Sequence, residues 1–257
     1  MVRDDGGLGV VGSTAMSSDT PGLPPHLRPF VLPYEEVEPI RSGNLDLYLP
    51  TSTPAPAVLM VHGGPVPRQR EVRPPQWPAF RGYGALLAQA GFVCGMFEHG
   101  FVDDESFPAA QENIRNTAEA LRADPRVDPE RFGMWFVSAG GLFMGSVLAD
   151  PSAWGVAAVA GTYAAPDDPD LEDPELLRAT STAELSDVPL LLVRPENDFE
   201  WIATASTELL ERCASQRRAV EVLEVPGGHH GFETVDDTEE ARDAIQRSIA
   251  WWGDALG

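Results

Sequence analysis

Cysteine is scarce: Cys94 and Cys213 are the only two in 257 residues. Two cysteines in a chain of this size do not make a disulfide scaffold, and both are expected to be ordinary thiols, Cys94 buried in a strand. Long hydrophobic runs are missing too, and no apolar stretch reaches the length needed to cross a bilayer. The first residues carry Asp4 and Asp5 and lack a basic region followed by a sustained apolar segment, so they do not read as a signal peptide. Basic charge is also short: 18 Lys and Arg face 40 Asp and Glu, for a formal net charge of −22 at pH 7. Such a field repels phosphate backbones and anionic membranes, which argues against nucleic acid and membrane surfaces as partners. These absences point to a soluble, cytoplasmic protein. Nothing in the sequence decides between a monomer and a homodimer.

What is present is an alternation of short apolar runs and amphipathic stretches. With 43% of its residues hydrophobic, the chain can bury a sizeable core, and its length suits one α/β domain. Residues 1–28 are rich in Gly, Ser, Asp and Pro without period and read as a flexible leader before a domain at 29–257. Strands are expected at Phe30 to Val37, Leu45 to Leu49, Ala57 to Val61, Phe92 to Phe97, Arg131 to Val137, Val156 to Ala160, Leu190 to Val193 and Val220 to Val225. Helices are expected at Tyr83 to Ala90, Glu112 to Ala123, Gly140 to Leu148, Ile202 to Cys213 and Thr238 to Trp252. Residues 163–187 form an acidic, proline-containing insertion that reads as a small cap. Strands alternating with helices of this length predict a mostly parallel sheet covered on both faces.

Four short segments carry chemistry, each at an element boundary. His62-Gly63-Gly64-Pro65 follows a strand, as does Ser138-Ala139-Gly140-Gly141; Asp198 follows Leu190 to Val193, and Gly228-His229-His230-Gly231-Phe232 follows the last strand. A serine hydrolase needs a nucleophile, a base, an acid that orients the base, and donors for the oxyanion. Ser138 at a strand-to-helix turn is the candidate nucleophile. The amides of Gly64 and Ala139 are the candidate oxyanion donors, since glycine lets backbone approach the reacting centre and Pro65 has no N–H to offer. Asp198 is the candidate orienting acid, with Glu196 and Glu200 as rivals. His62 is expected to support its loop rather than act as the base.

Only five histidines exist, and two stand side by side in the last loop. One of them should reach Ser138 as general base. Adjacent histidines rarely face one ion, and no Cys or spaced His pattern accompanies them, so no metal is expected. One position departs from the Gly-x-Ser-x-Gly pattern of such turns: Phe136 stands where the first glycine is usual. The ring is expected to fill space near the nucleophile and narrow the acyl site. Trp77, Trp201 and His229 are expected beside it around the substrate. Arg68, Arg70 and Arg73, in the proline-rich loop 64–78, either bind a carboxylate or are solvated.

With those residues assembled, the chain resembles the α/β-hydrolase superfamily over residues 40–255, and most closely its dienelactone hydrolase-like and prolyl oligopeptidase-like branches. Gly84-Ala85-Leu86-Leu87-Ala88-Gln89-Ala90-Gly91-Phe92-Val93 looks like the helix-to-strand passage of those branches. Phe97-Glu98-His99-Gly100 looks like the following strand end, with Gly100 where an Arg often stands. Gly228-His229-His230-Gly231-Phe232 looks like the family's His-Gly-Phe base loop, which makes His230 the base and His229 its neighbour. The resemblance implies an α/β-hydrolase fold with about eight mostly parallel strands, and ester hydrolysis without a cofactor. The cysteine nucleophile of true dienelactone hydrolases is replaced by Ser138. The leading expectation is a serine hydrolase of small carboxylic esters working through an acyl-enzyme. The alternatives are an acyltransferase or small peptidase on the same residues, or a non-catalytic binding protein on the same fold.

Overall fold

The apolar run around residue 60 forms strand β3 (Ala55–Val61), buried along nearly its whole length. It lies near the middle of an eight-stranded sheet in a computed structural model that describes residues 22–166 and 185–257. The other strands are β1 (Ile40–Ser42), β2 (Leu45–Tyr48), β4 (Val93–Met96), β5 (Val127–Val137), β6 (Ala158–Thr162), β7 (Leu190–Asn197) and β8 (Glu221–His229). Their order across the sheet is β1-β2-β4-β3-β5-β6-β7-β8. β2 pairs antiparallel with β1 and with β4, and every other neighbour is parallel. Parallel neighbours need crossovers, and among the described residues helices lie between β3 and β4, β4 and β5, β5 and β6, and β7 and β8. Among the described residues the helices are α1 (Pro78–Gln89), α2 (Phe107–Arg122), α3 (Met144–Ala149), α4 (Pro151–Trp154), α5 (Glu200–Ser215), α6 (Phe232–Val235) and α7 (Glu239–Leu256).

Strand alternation sorts the core into two layers. Leu59, Val61, Met134 and Phe136 share one layer with Ile114, Leu121, Val147 and Leu209 of α2, α3 and α5. Val58, Met60, Trp135 and Val137 share the other with Tyr83, Leu87, Ile245 and Trp252 of α1 and α7. Burying each such side chain contributes roughly 1.5–3 kcal/mol, so a sheet apolar on both faces is stable only when both are covered. This is the three-layer arrangement expected from the sequence.

The element ends follow local chemistry. Thr238 caps α7, its hydroxyl accepting from the Ala241 N–H at 3.2 Å, and Glu239 and Glu240 complement the positive end of the helix. Helices α1 and α2 begin about a turn earlier than their apolar periods suggest. Each carries a proline in its first turn, where a missing N–H costs nothing. The segment Phe30 to Val37 is not a strand, because Pro33 interrupts any ladder. It instead crosses α1, with Phe30 edge-on to Tyr83 at 5.2 Å and the Val31 N–H bonded to the Glu233 carbonyl. The stretch after β5 opens as a 3-10 helix, Ser138–Phe143, before α3. Of the leader expected at 1–28, residues 1–21 lie outside the described residues. The rest includes a 3-10 turn, Pro25–Leu27, in contact with α6 and α1. Most of the expected cap, 167–184, is also outside the described residues.

Candidate functional site

Ser138 stands at the C-terminal end of β5 with φ +55°, the left-handed region that side chains other than glycine rarely adopt. The turn is tight because backbone crowds it. A Cβ on Gly140 would lie 2.5 Å from the His62 carbonyl oxygen, and one on Gly63 would lie 2.8 Å from the Ser138 Cβ. These glycines let the β3 and β5 ends close on each other and aim the Ser138 hydroxyl outward.

The parallel register of β7 and β8 sets Asn197 opposite His229. The next residue of each chain therefore leaves the sheet beside the other, and these are Asp198 and His230. Asp198 Oδ1 accepts from His230 Nδ1 at 2.7 Å and from the Phe199 N–H at 2.8 Å. Its side chain is only 4% exposed, so the carboxylate is shielded where it meets the ring. A carboxylate only accepts, which puts the ring proton on Nδ1 and leaves the Nε2 lone pair free. Nε2 lies 2.8 Å from Ser138 Oγ and accepts its proton. Tyr163 and Phe199 flank the His230 ring, with centroids at 4.4 and 4.7 Å.

Gly64 lines the same cavity as Ser138. Ala139 is the second residue of the 3-10 helix, whose first amides have no acceptor within it. Behind Gly63 and Gly64 lies a buried pair of imidazoles. His62 stacks on His99 with centroids 3.6 Å apart. The Phe101 N–H donates to His99 Nδ1, and His99 Nε2 donates to the His62 carbonyl at 2.9 Å. His62 in turn accepts from the His99 N–H and donates from Nδ1 to the Gly63 carbonyl. Both rings are thereby neutral. Burial lowers the pKa of His62 well below the usual value, and that of His99 to about 4. They support the loop, the role expected of His62.

The cavity has a volume of about 240 Å³ and is lined by Ser138, His230, Gly63, Gly64, Trp77 and Tyr163, among others. Three residues expected around the substrate lie elsewhere. Phe136 is fully buried in the layer of α2 and α3, and the cavity does not touch it. Alternation turns the next residue, Val137, toward the cavity instead. The register places Gly161 of β6 beside Phe136, a position with no side chain to compete for that space. Trp201 is on the exposed face of α5, 38% accessible. His229 points away from Ser138, with Nδ1 2.9 Å from Asp236 Oδ1.

Two ionisable lining residues, His26 and Glu233, were not legible in the sequence. His26 fell within the expected leader. Glu233 is one acid among 40 with no pattern to mark it, beyond following the Gly231-Phe232 pair. Glu233 is buried and accepts a hydrogen bond from the Tyr163 hydroxyl, while its other oxygen has no partner among the described residues. Burial pushes its pKa up, toward the neutral acid. Cys94 and Cys213 are free and buried, with thiol pKa values raised by that burial. Among the described residues, no cluster of three His, Cys, Asp or Glu could hold a metal ion, and no helix is long and apolar enough to cross a membrane.

Known structures place the architecture. An esterase of Pyrobaculum calidifontis is similar over 88% of this chain and 88% of its own, with a TM-score of 0.68 and 19% identity. A truncated carbohydrate esterase from gut microbiota is similar over 87% of this chain and 97% of its own, with a TM-score of 0.66 and 16% identity. A candidate dipeptidyl aminopeptidase IV from Bacteroides ovatus matches 86% of this chain at a TM-score of 0.65 and 16% identity, but this chain spans only 36% of that protein's length. No protein-family model matches the chain, and no curated protein matches it in sequence. The chain has the α/β-hydrolase fold.

Proposed function

We propose that this protein is a serine hydrolase that cleaves a carboxylic ester of a small substrate through an acyl-enzyme. The observation that carries the reading is the continuous relay from Ser138 Oγ to His230 Nε2 at 2.8 Å and from His230 Nδ1 to Asp198 Oδ1 at 2.7 Å. It opens on a cavity sized for a small molecule.

In the first step Ser138 Oγ attacks the ester carbonyl while His230 Nε2 takes its proton. Asp198 stabilises the imidazolium that forms and holds the ring in the required tautomer. The carbonyl oxygen becomes an oxyanion, met by the amides of Gly64 and Ala139. Such a donor is worth about 10²–10³ in rate. His230 then returns the proton to the departing alcohol, leaving an acyl group on Ser138. Water, deprotonated by His230, releases the acid and restores the serine. The positive φ of Ser138 is consistent with a side chain held clear of the sheet for such an attack.

A fluorophosphonate probe tests the reading. It should label the protein once, and peptide mapping should find the adduct on Ser138. Absence of labelling, together with no turnover of p-nitrophenyl acetate, would refute it.

A further inference from the structure

Arg70 lines the cavity beside the proposed nucleophile, and no carboxylate among the described residues answers its charge. Its Nη1 lies 2.6 Å from His26 Nε2, and its guanidinium sits 5.8 Å from the centroid of the Trp77 ring. Its Nε is buried and has no hydrogen-bond partner among the described residues. Arg73, in the same loop, shows the contrast. It pairs with Glu98 and donates to the carbonyls of Pro67, Arg68 and Arg70, so its charge is already matched.

The supports of Arg70 are themselves fixed. Trp77 donates its indole N–H to the Val72 carbonyl at 3.0 Å, and the His26 ring lies 5.0 Å from that of Trp77. Guanidinium is always protonated, so it must be the donor to His26. His26 is then neutral, and burial and the charge of Arg70 both lower its pKa. The cavity's own carboxyl, Glu233, is engaged by Tyr163 and drawn toward its neutral form by burial. In a chain of net charge −22, this small cavity keeps one permanent cation and no matched anion.

We propose that Arg70 binds a carboxylate carried by the substrate, so that the site selects esters bearing a second, free acid group. This rests on the ester-hydrolase reading for the reaction, though not for the binding. A guanidinium offers a planar fork of donors that suits a carboxylate, and the neutral His26 and the Trp77 face hold that fork without cancelling its charge.

The test compares kcat/KM for charged and neutral esters in the parent and in Arg70→Gln. Monomethyl glutarate against methyl valerate places the acid on the acyl side, and acetoxyacetate against propyl acetate places it on the alcohol side. In one series the parent should prefer the charged ester. Arg70→Gln should lower that preference by about 10–100-fold, the range expected for losing a charge-assisted pair. The loss should fall mainly on KM, and Arg70→Lys should restore part of it. An unchanged ratio in both series overturns the proposal. Binding of monomethyl glutarate to Ser138→Ala, followed by calorimetry, separates the two readings. Arg70-dependent binding without turnover in the parent would retain the anion site and reject the hydrolase. Turnover of methyl valerate with no charge preference would do the reverse. Melting curves of Arg70→Gln should match the parent, because the loop remains held by Arg73.

Discussion

His229 and His230 are adjacent in the chain and serve opposite sides of it: His230 Nε2 lies 2.8 Å from Ser138 Oγ, while His229 Nδ1 lies 2.9 Å from Asp236 Oδ1. Two further contacts separate them. His230 is flanked by aromatic rings, and the side chain of His229 is 59% exposed. His230→Ala should therefore cost several orders of magnitude in kcat for p-nitrophenyl acetate, as removal of a general base does. His229→Ala should stay within about tenfold of the parent, since an exposed pair contributes little. Steady-state kinetics on both variants decide the matter, and the opposite ranking would move the base to His229.

The backbone at Ser138 makes a separate prediction about stability. Its φ of +55° carries a cost for any side chain, of about 1–2 kcal/mol. Ser138→Gly relieves that cost and Ser138→Ala does not. Both should be inactive, and urea denaturation should find the glycine variant the more stable by about 1 kcal/mol. Equal stability would mean that the turn is not strained.

Phe136 shows how far the sequence could be read. Its position two residues before Ser138 was legible, and so was the departure from glycine. Which way the ring points was not, because strand alternation becomes a direction only once the layers on each face are known. The ring is fully buried with Met134 and Val61, on the face opposite Val137. Phe136→Ala should thus cost about 3–5 kcal/mol of stability through the cavity it leaves. The ratio of activities on p-nitrophenyl acetate, butyrate and octanoate should not change. A shifted acyl-chain profile in a folded variant would bring the ring back to the acyl site.

The order and type of the central elements were legible for a simple reason. Parallel strands buried on both faces are continuous apolar runs, and their helices carry a helical period. The four chemical segments were found because each sits where such a run stops. What escaped were residues whose role depends on a fold-level neighbour. Glu233 matters because Tyr163 reaches it; Arg70 was in view with Arg68 and Arg73, but what sets it apart shows only once Arg73 is seen to pair with Glu98. Phe30 to Val37 misled for a local reason, since its apolar residues pack onto α1 while Pro33 prevents a ladder.

The stacked His62 and His99 predict a dependence of stability on pH. Both rings are neutral in the folded protein, with pKa values lowered by burial, to about 4 for His99. The unfolded chain takes up these protons near pH 6.5, where the folded protein does not. Between about pH 6.5 and 4 the unfolded state binds more protons, so stability falls as pH falls, by about 1.4 kcal/mol per pH unit for each ring. Glu233, with a raised pKa, acts in the opposite sense, so the informative quantity is a difference between variants. Guanidinium denaturation at pH 7, 6 and 5 should show a shallower loss in His99→Gln than in the parent. Parallel slopes would mean that His99 takes its proton in the folded state.

The segment around His26 offers a final test. Pro25 and His26 line the cavity, and the Pro25–Leu27 turn meets α6, next to the His230 loop. A chain beginning at Pro29 loses that wall, while one beginning at Gly22 keeps it. His26 accepts from Arg70 at 2.6 Å and lies against Trp77, so its removal frees the guanidinium to move. Neither Ser138 nor His230 bonds to residues 22–28, so the relay itself is untouched. The shorter chain should therefore show a KM raised several-fold with kcat within about threefold of the longer one, because binding rather than the chemical step loses a contact. A collapse of kcat with unchanged KM would instead tie the segment to the geometry of the relay. Equal constants in the two chains would show that the Pro25–His26 wall does not meet substrate.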